Sequence, residues 1–118
     1  MIAVIAVSPV HGQAAVKALR SEVKADLDSV AVHQKRYFAL HNRFASSIQE
    51  LASLKDRLKS SVEIVTANAV GWAAVGTLPG RLQESCVIMV NIRAVERPRT
   101  TPTGKSPIRE GVALCDGD

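Results

Sequence analysis

The sequence predicts an α+β domain: a long N-terminal helix packed against a three- to four-stranded antiparallel sheet. Three observations predict it. Residues 13–40 contain no proline or glycine and repeat apolar residues at helical spacing. From Val62 onward the period shortens to that of strands. The connections between those later segments are short, which favours antiparallel pairing in a meander over long crossovers.

The helix comes first. Val16, Leu19, Val23, Leu27 and Val30 recur three or four apart, and Gln34 and Tyr37 continue the line. That is one buried face of an α-helix. Lys17, Arg20, Glu22, Lys24, Asp26, Asp28, Lys35 and Arg36 fall mostly off it and are expected to meet water. Lys24 and Asp28, four apart, can pair for a few tenths of a kcal/mol. Pro9 and Gly12 are expected to break or kink the chain ahead of this spine. Residues 1–12 then form a separate apolar segment, and residues 13–118 the head.

After Leu40, residues 41–45 read as a turn. Ser47-Ile48-Gln49-Glu50 has the spacing of a capping box, opening a short helix that faces Ile48, Leu51 and Leu54 to the core. Val62 to Ala67 alternates, with Val62 and Ile64 on one side and Glu63 and Val65 on the other. Asn68 to Gly71 is turn chemistry. Trp72 to Thr77 is a second strand, ended by Leu78-Pro79-Gly80. Cys86 to Ile92 is a third. Arg93 to Asp118, rich in Pro, Thr, Gly and charge, is loop with a short strand near Gly111–Leu114.

Composition bounds the function. A chain of 118 residues holds one domain. Hydrophobic residues at 47% exclude a disordered chain, and aromatics at 3% require a core of Val, Leu, Ile and Ala. The net charge of +4 is mild, although Arg93, Arg97, Arg99, Lys105 and Arg109 crowd the C-terminal region. They read as a solvated basic loop or as a weak contact with an anionic surface or DNA. Met1 to Val7 is apolar but too short to span a bilayer, which takes about 20 residues.

Chemical motifs are few. Thr103-Gly104-Lys105-Ser106 resembles the end of a phosphate-binding loop, but Arg99 stands where the motif needs glycine and Pro107 forbids the helix that should follow. His33 and His41 are about 12 Å apart along a helix, too far to share a metal. Asp116 and Asp118 alone are too few for calcium. Asp26 and Asp28 read as a solvated face. No catalytic, cofactor-binding or metal-binding residues are assigned. Cys86 and Cys115 are either a disulfide or two buried thiols; a disulfide would place the chain in an oxidising compartment.

The order of segments resembles a known family. Ala25-Asp26-Leu27-Asp28-Ser29-Val30, running on through Gln34 to Tyr37-Phe38-Ala39, is similar to the second half of the long helix in type IV pilins and type II secretion pseudopilins. His41 to Ser47 resembles the turn that follows that helix, and Gly71-Trp72-Ala73-Ala74 the strand after it. Cys86-Val87-Ile88-Met89-Val90 with Gly111 to Asp116 resembles the paired cysteines that close the C-terminal loop of many pilins. Met1 to Pro9 is similar to the end of the family's apolar helix half, with Ile5 where the family carries glutamate. Most of that half is therefore expected to lie outside this sequence.

The resemblance implies a non-catalytic filament subunit without cofactors, serving adhesion, motility or DNA uptake. It implies a disulfide between Cys86 and Cys115 closing loop 86–115. It implies other copies as partners in a homopolymer, and the inner membrane as a partner if the full-length chain carries an apolar helix. The protein would lie in the inner membrane or periplasm before assembly and at the cell surface after it. A secretion pseudopilin and a soluble extracytoplasmic binding module are the alternatives.

Overall fold

A computed structural model describes residues 2–91, 97–107 and 109–118, with side chains from Ala15 onward except those of residues 81 and 82. Ile92 and Arg93, expected at the end of the third strand and the start of the loop, lie outside the described residues.

The chain begins as helix α1, Ile2–His41, followed by a 3₁₀ turn at Ile48–Glu50 and a single helical turn α2, Ala52–Lys55. Strands β1 (Ser61–Ala67), β2 (Trp72–Leu78), β3 (Arg81–Val90) and β4 (Leu114–Cys115) form one antiparallel sheet in sequential order. The expected α+β architecture is present, with four strands.

The spine is longer than expected. Helix α1 runs through Pro9 and Gly12 without a break, so residues 2–12 continue the spine rather than forming a separate segment. A proline inside a helix costs about 3 kcal/mol through one missing N–H and a crowded carbonyl. The helical turns on both sides outweigh that cost. Forty residues at about 1.5 Å each give about 60 Å, and the longest dimension of the molecule is 59 Å. The helix stops where Asn42 turns left-handed (φ 58°) while its N–H still reaches the Phe38 carbonyl at 2.8 Å.

The predicted stripe is the core. Val23, Leu27, Val30 and Gln34 have no exposed surface, and Val16, Leu19 and Tyr37 pack at its margins. Facing them are Trp72, Ala74 and Leu78 of β2 and Cys86 and Ile88 of β3. Close approach depends on Gly76: a Cβ there would stand 2.6 Å from Val23 Cγ1. Gln34, the polar member of the stripe, has a partner for both its nitrogen and its oxygen. Its amide donates to the Ala45 carbonyl at 2.9 Å, and its oxygen accepts from the Ala45 N–H at 2.7 Å. The chain leaving the helix is thereby stitched back onto it, and Ile48, Leu51 and Leu54 enter the core as expected.

Two polar expectations change. Ser47 makes no side-chain cap; Glu50 instead reaches back to Ser46, accepting from its amide at 2.8 Å and its hydroxyl at 2.9 Å. Its other oxygen accepts from Tyr37 at 2.8 Å and pairs with Arg43 at 3.0 Å. Asp26 is not on a solvated face: it is buried and accepts from the amides of Lys59 and Ser60 at 3.0 and 2.7 Å. It fixes the entry into β1. Asp28 is exposed, as expected.

The Glu50 hub gives a pH prediction. Hydrogen bonds from Arg43, then from Ser46 and Tyr37, pull its carboxyl from an ordinary 4.5 down to about 2. A carboxylate depressed by folding stabilises the fold above its unfolded value and loses that contribution as pH falls through the folded one. The stability difference between wild type and Glu50→Gln is therefore expected to shrink as pH drops from 4.5 toward 2. Chemical denaturation at several pH values in that window checks this. A gap that does not change would assign the effect to something other than the carboxylate.

In the sheet, Asn68 accepts from the amides of Val70 and Gly71, both at 2.8 Å, closing the β1–β2 turn. Pro79 and Gly80 (φ 72°) close the β2–β3 hairpin, proline and glycine holding the positions a type II turn favours. Strand β3 therefore starts at Arg81, five residues before the expected Cys86. A bulge falls between Ile64 and Thr66 on β1, the outer edge.

Candidate functional site

The C-terminal segment crosses the face of the sheet that α1 leaves open. Ala73 and Met89, paired in register, and Val87 beside them are buried there. Residues 97–101 pass over this face: Pro98 and Thr100 are buried, and Thr101 donates its N–H to Ser85 Oγ at 2.8 Å. Gly111 donates to the Met89 carbonyl at 2.8 Å as the chain returns to β4.

The return is closed covalently. Cys86 and Cys115 stand opposite each other on β3 and β4 and form a disulfide, both fully buried. This is the bridge that the resemblance implied. Next to it, Asp116 Oδ1 accepts from Thr100 Oγ1 at 2.7 Å and from the amide and hydroxyl of Thr103. Those bonds, Thr103 foremost, hold its carboxyl below the usual carboxylate range. Thr100 also accepts from the Lys105 amide at 2.9 Å. The Thr103-Gly104-Lys105-Ser106 run is thus a loop fastened to Asp116.

The chain after the disulfide is clamped to α1. Arg20 pairs with Glu84 at 2.8 Å, and its guanidinium lies where a side chain at Gly117 would stand. Lys24 pairs with Asp118 at 2.9 Å, which corrects the expected Lys24–Asp28 pair. Asp118 also accepts from the Cys115 amide at 2.8 Å, and Lys105 donates to its main-chain oxygen. In sequence Asp118 stands out only beside Asp116, as one of two carboxylates too few for calcium, yet it is the point where α1 and two parts of the loop meet.

An open groove of about 700 Å³ lies at this junction, with Arg20, Glu84 and Asp116 as its charged lining. Arg20 and Glu84 answer each other, and Asp116 is taken up by the two threonines. The arrangement therefore fastens chain to chain. Among the described residues no group of three or more His, Cys, Asp or Glu converges as a metal site. His33 bonds the Ser29 carbonyl through Nδ1 at 2.9 Å, and His41 stacks on Tyr37 with ring centroids 4.0 Å apart.

Of the basic residues, Arg97, Arg99 and Arg109 are exposed, while Lys105 is half-buried and tied to Asp118. Sequence reasoning missed Asp26 and Asp118. A signal existed for the first: Asp26 is three residues after Val23 and four before Val30, inside the buried stripe. No local signal existed for the second, whose partners are Lys24 and Lys105. No helix among the described residues is long and apolar enough to cross a membrane. No family model matches the chain, and no curated protein matches it.

Proposed function

We propose that this chain is a structural, non-catalytic subunit of a type IV pilus-like filament. One observation carries the reading: a single helix seals the head with its second half while its first half, apolar from Ile2 to Val7, runs on along the same rod. The described packing begins at Val16, so about 20 Å of helix precedes it. Apolar helix halves of many copies would gather in a dry filament centre, with heads arranged around them. The disulfide-closed segment would face outward, and the bridge fits a protein that works outside the cytoplasm. Before assembly such a subunit would sit in the inner membrane.

The test uses the gene together with its upstream reading frame, expressed in a cell that assembles type IV filaments. Surface structures are sheared off and labelled for the head in the electron microscope. Labelled filaments are expected. Recovery solely as an unassembled protein, with no leader or apolar stretch in frame upstream, would refute the reading and favour a soluble extracytoplasmic module. Labelling confined to a short periplasmic structure would favour a secretion pseudopilin.

A further inference from the structure

We infer that the outer face of the sheet carries a docking groove for an acidic, partly apolar peptide segment of a partner protein. The groove, about 270 Å³, lies between β1, β2 and the crossing segment; its floor is Val65, Thr66, Val75 and Pro98 and its rim is Arg97 and Arg99. Val65 is 46% exposed, and Thr66 and Val75 beside it are half-buried; Glu63, on the same face, is exposed.

The two arginines are placed together by the local chain. Arg97, Pro98, Arg99 and Thr100 alternate exposed, buried, exposed, buried. That is the alternation of an extended strand, which sends residues two apart to the same side at about 7 Å. Pro98 and Thr100 are the anchors, so the arginines must look outward. Among the described residues, the other basic groups of the region have partners or lie elsewhere: Lys105 is held by Asp118, and Arg109 lines a separate depression with Val112, Ala113 and Leu114. Arg97 makes no ion pair among the described residues, and Arg99 makes only a long 3.4 Å bond to the Gly104 carbonyl.

This chemistry selects a carboxylate flanked by apolar side chains. Guanidinium forks match carboxylates in two-point geometry, and the valine and proline floor rewards burial of an aliphatic side chain beside them. A nucleic-acid strand fits less well, because it needs a row of cations along successive phosphates and little apolar floor. The bulge on β1 twists the sheet edge away, so the segment lies in the groove rather than extending the sheet. The inference does not depend on the filament reading.

The test is a binding titration of the intact, oxidised chain with a blocked peptide of alternating Glu and Leu. A Gln-and-Leu peptide of equal length and a single-stranded oligonucleotide serve as comparisons. Saturable binding of the Glu peptide is expected, weakened roughly tenfold or more in the Gln peptide and in the Arg97→Ala/Arg99→Ala variant. Both arginines are exposed, so the variant should melt with the wild type, and Arg109→Ala should bind normally. Undetectable Glu-peptide binding, equal binding of both peptides, or insensitivity to the double substitution would each overturn the inference. So would tighter oligonucleotide binding weakened by Arg109→Ala as well, the behaviour of a general polyanion surface.

Discussion

Leu27→Asp is expected to unfold the head. Leu27 has no exposed surface, and its side chain lies against the backbone of β2 at Gly76, between Val23 and Val30. Removing a buried leucine costs about 2–5 kcal/mol. An unpaired carboxylate in the same place adds several kcal/mol more. A domain of this size has about 5–15 kcal/mol in total, so little or nothing remains. Loss of the cooperative thermal transition in circular dichroism checks the outcome. Val32→Asp, at a position 49% exposed on the same helix, is the control and should melt close to wild type. If the two variants melt alike, the buried face of α1 is assigned wrongly.

Cys115→Ser is expected to lower the melting temperature by ~10–20 °C, from about 3–4 kcal/mol of lost loop closure. Strand β4 contributes only Leu114 and Cys115 to the ladder, so the bridge is its main fastening to β3. With it gone, the crossing segment should become the first site of proteolysis, between residues 97 and 113. Peptide mapping after brief digestion reads this directly. Cleavage at wild-type rates and positions would mean that Asp116, Asp118 and their partners hold the segment without the disulfide. The Cys86→Ser variant should behave the same way.

What the sequence made legible followed from local spacing. The stripe from Val16 to Tyr37 has the period of an α-helix, and its central members Val23, Leu27 and Val30 lie in the core with Val16, Leu19 and Tyr37 packed at its margins. The alternation of Val62, Glu63, Ile64 and Val65 and the turn residues after it placed β1 and β2 within a residue. What stayed hidden was non-local or contradicted its own propensity. Pro9 argues for a break that flanking helix overrides. Residues 81–85 carry arginine, glutamine and glutamate, so nothing in their composition announces the first half of β3. The fastening of the C-terminal segment joins residues as far apart as Lys24 and Asp118, a separation over which spacing carries no information. The pairing of Cys86 with Cys115 was within reach because no third cysteine competes.

The sequential order of the strands has a consequence for synthesis. Helix α1 leaves the ribosome first, but the surface that covers its greasy side is complete only when Val90 has been added, more than 50 residues after Tyr37. At about 5–20 residues per second, the nascent helix stays uncovered for roughly 3–10 s. During that interval it offers a chaperone or targeting factor a ready handhold, which vanishes once the hairpins close over it.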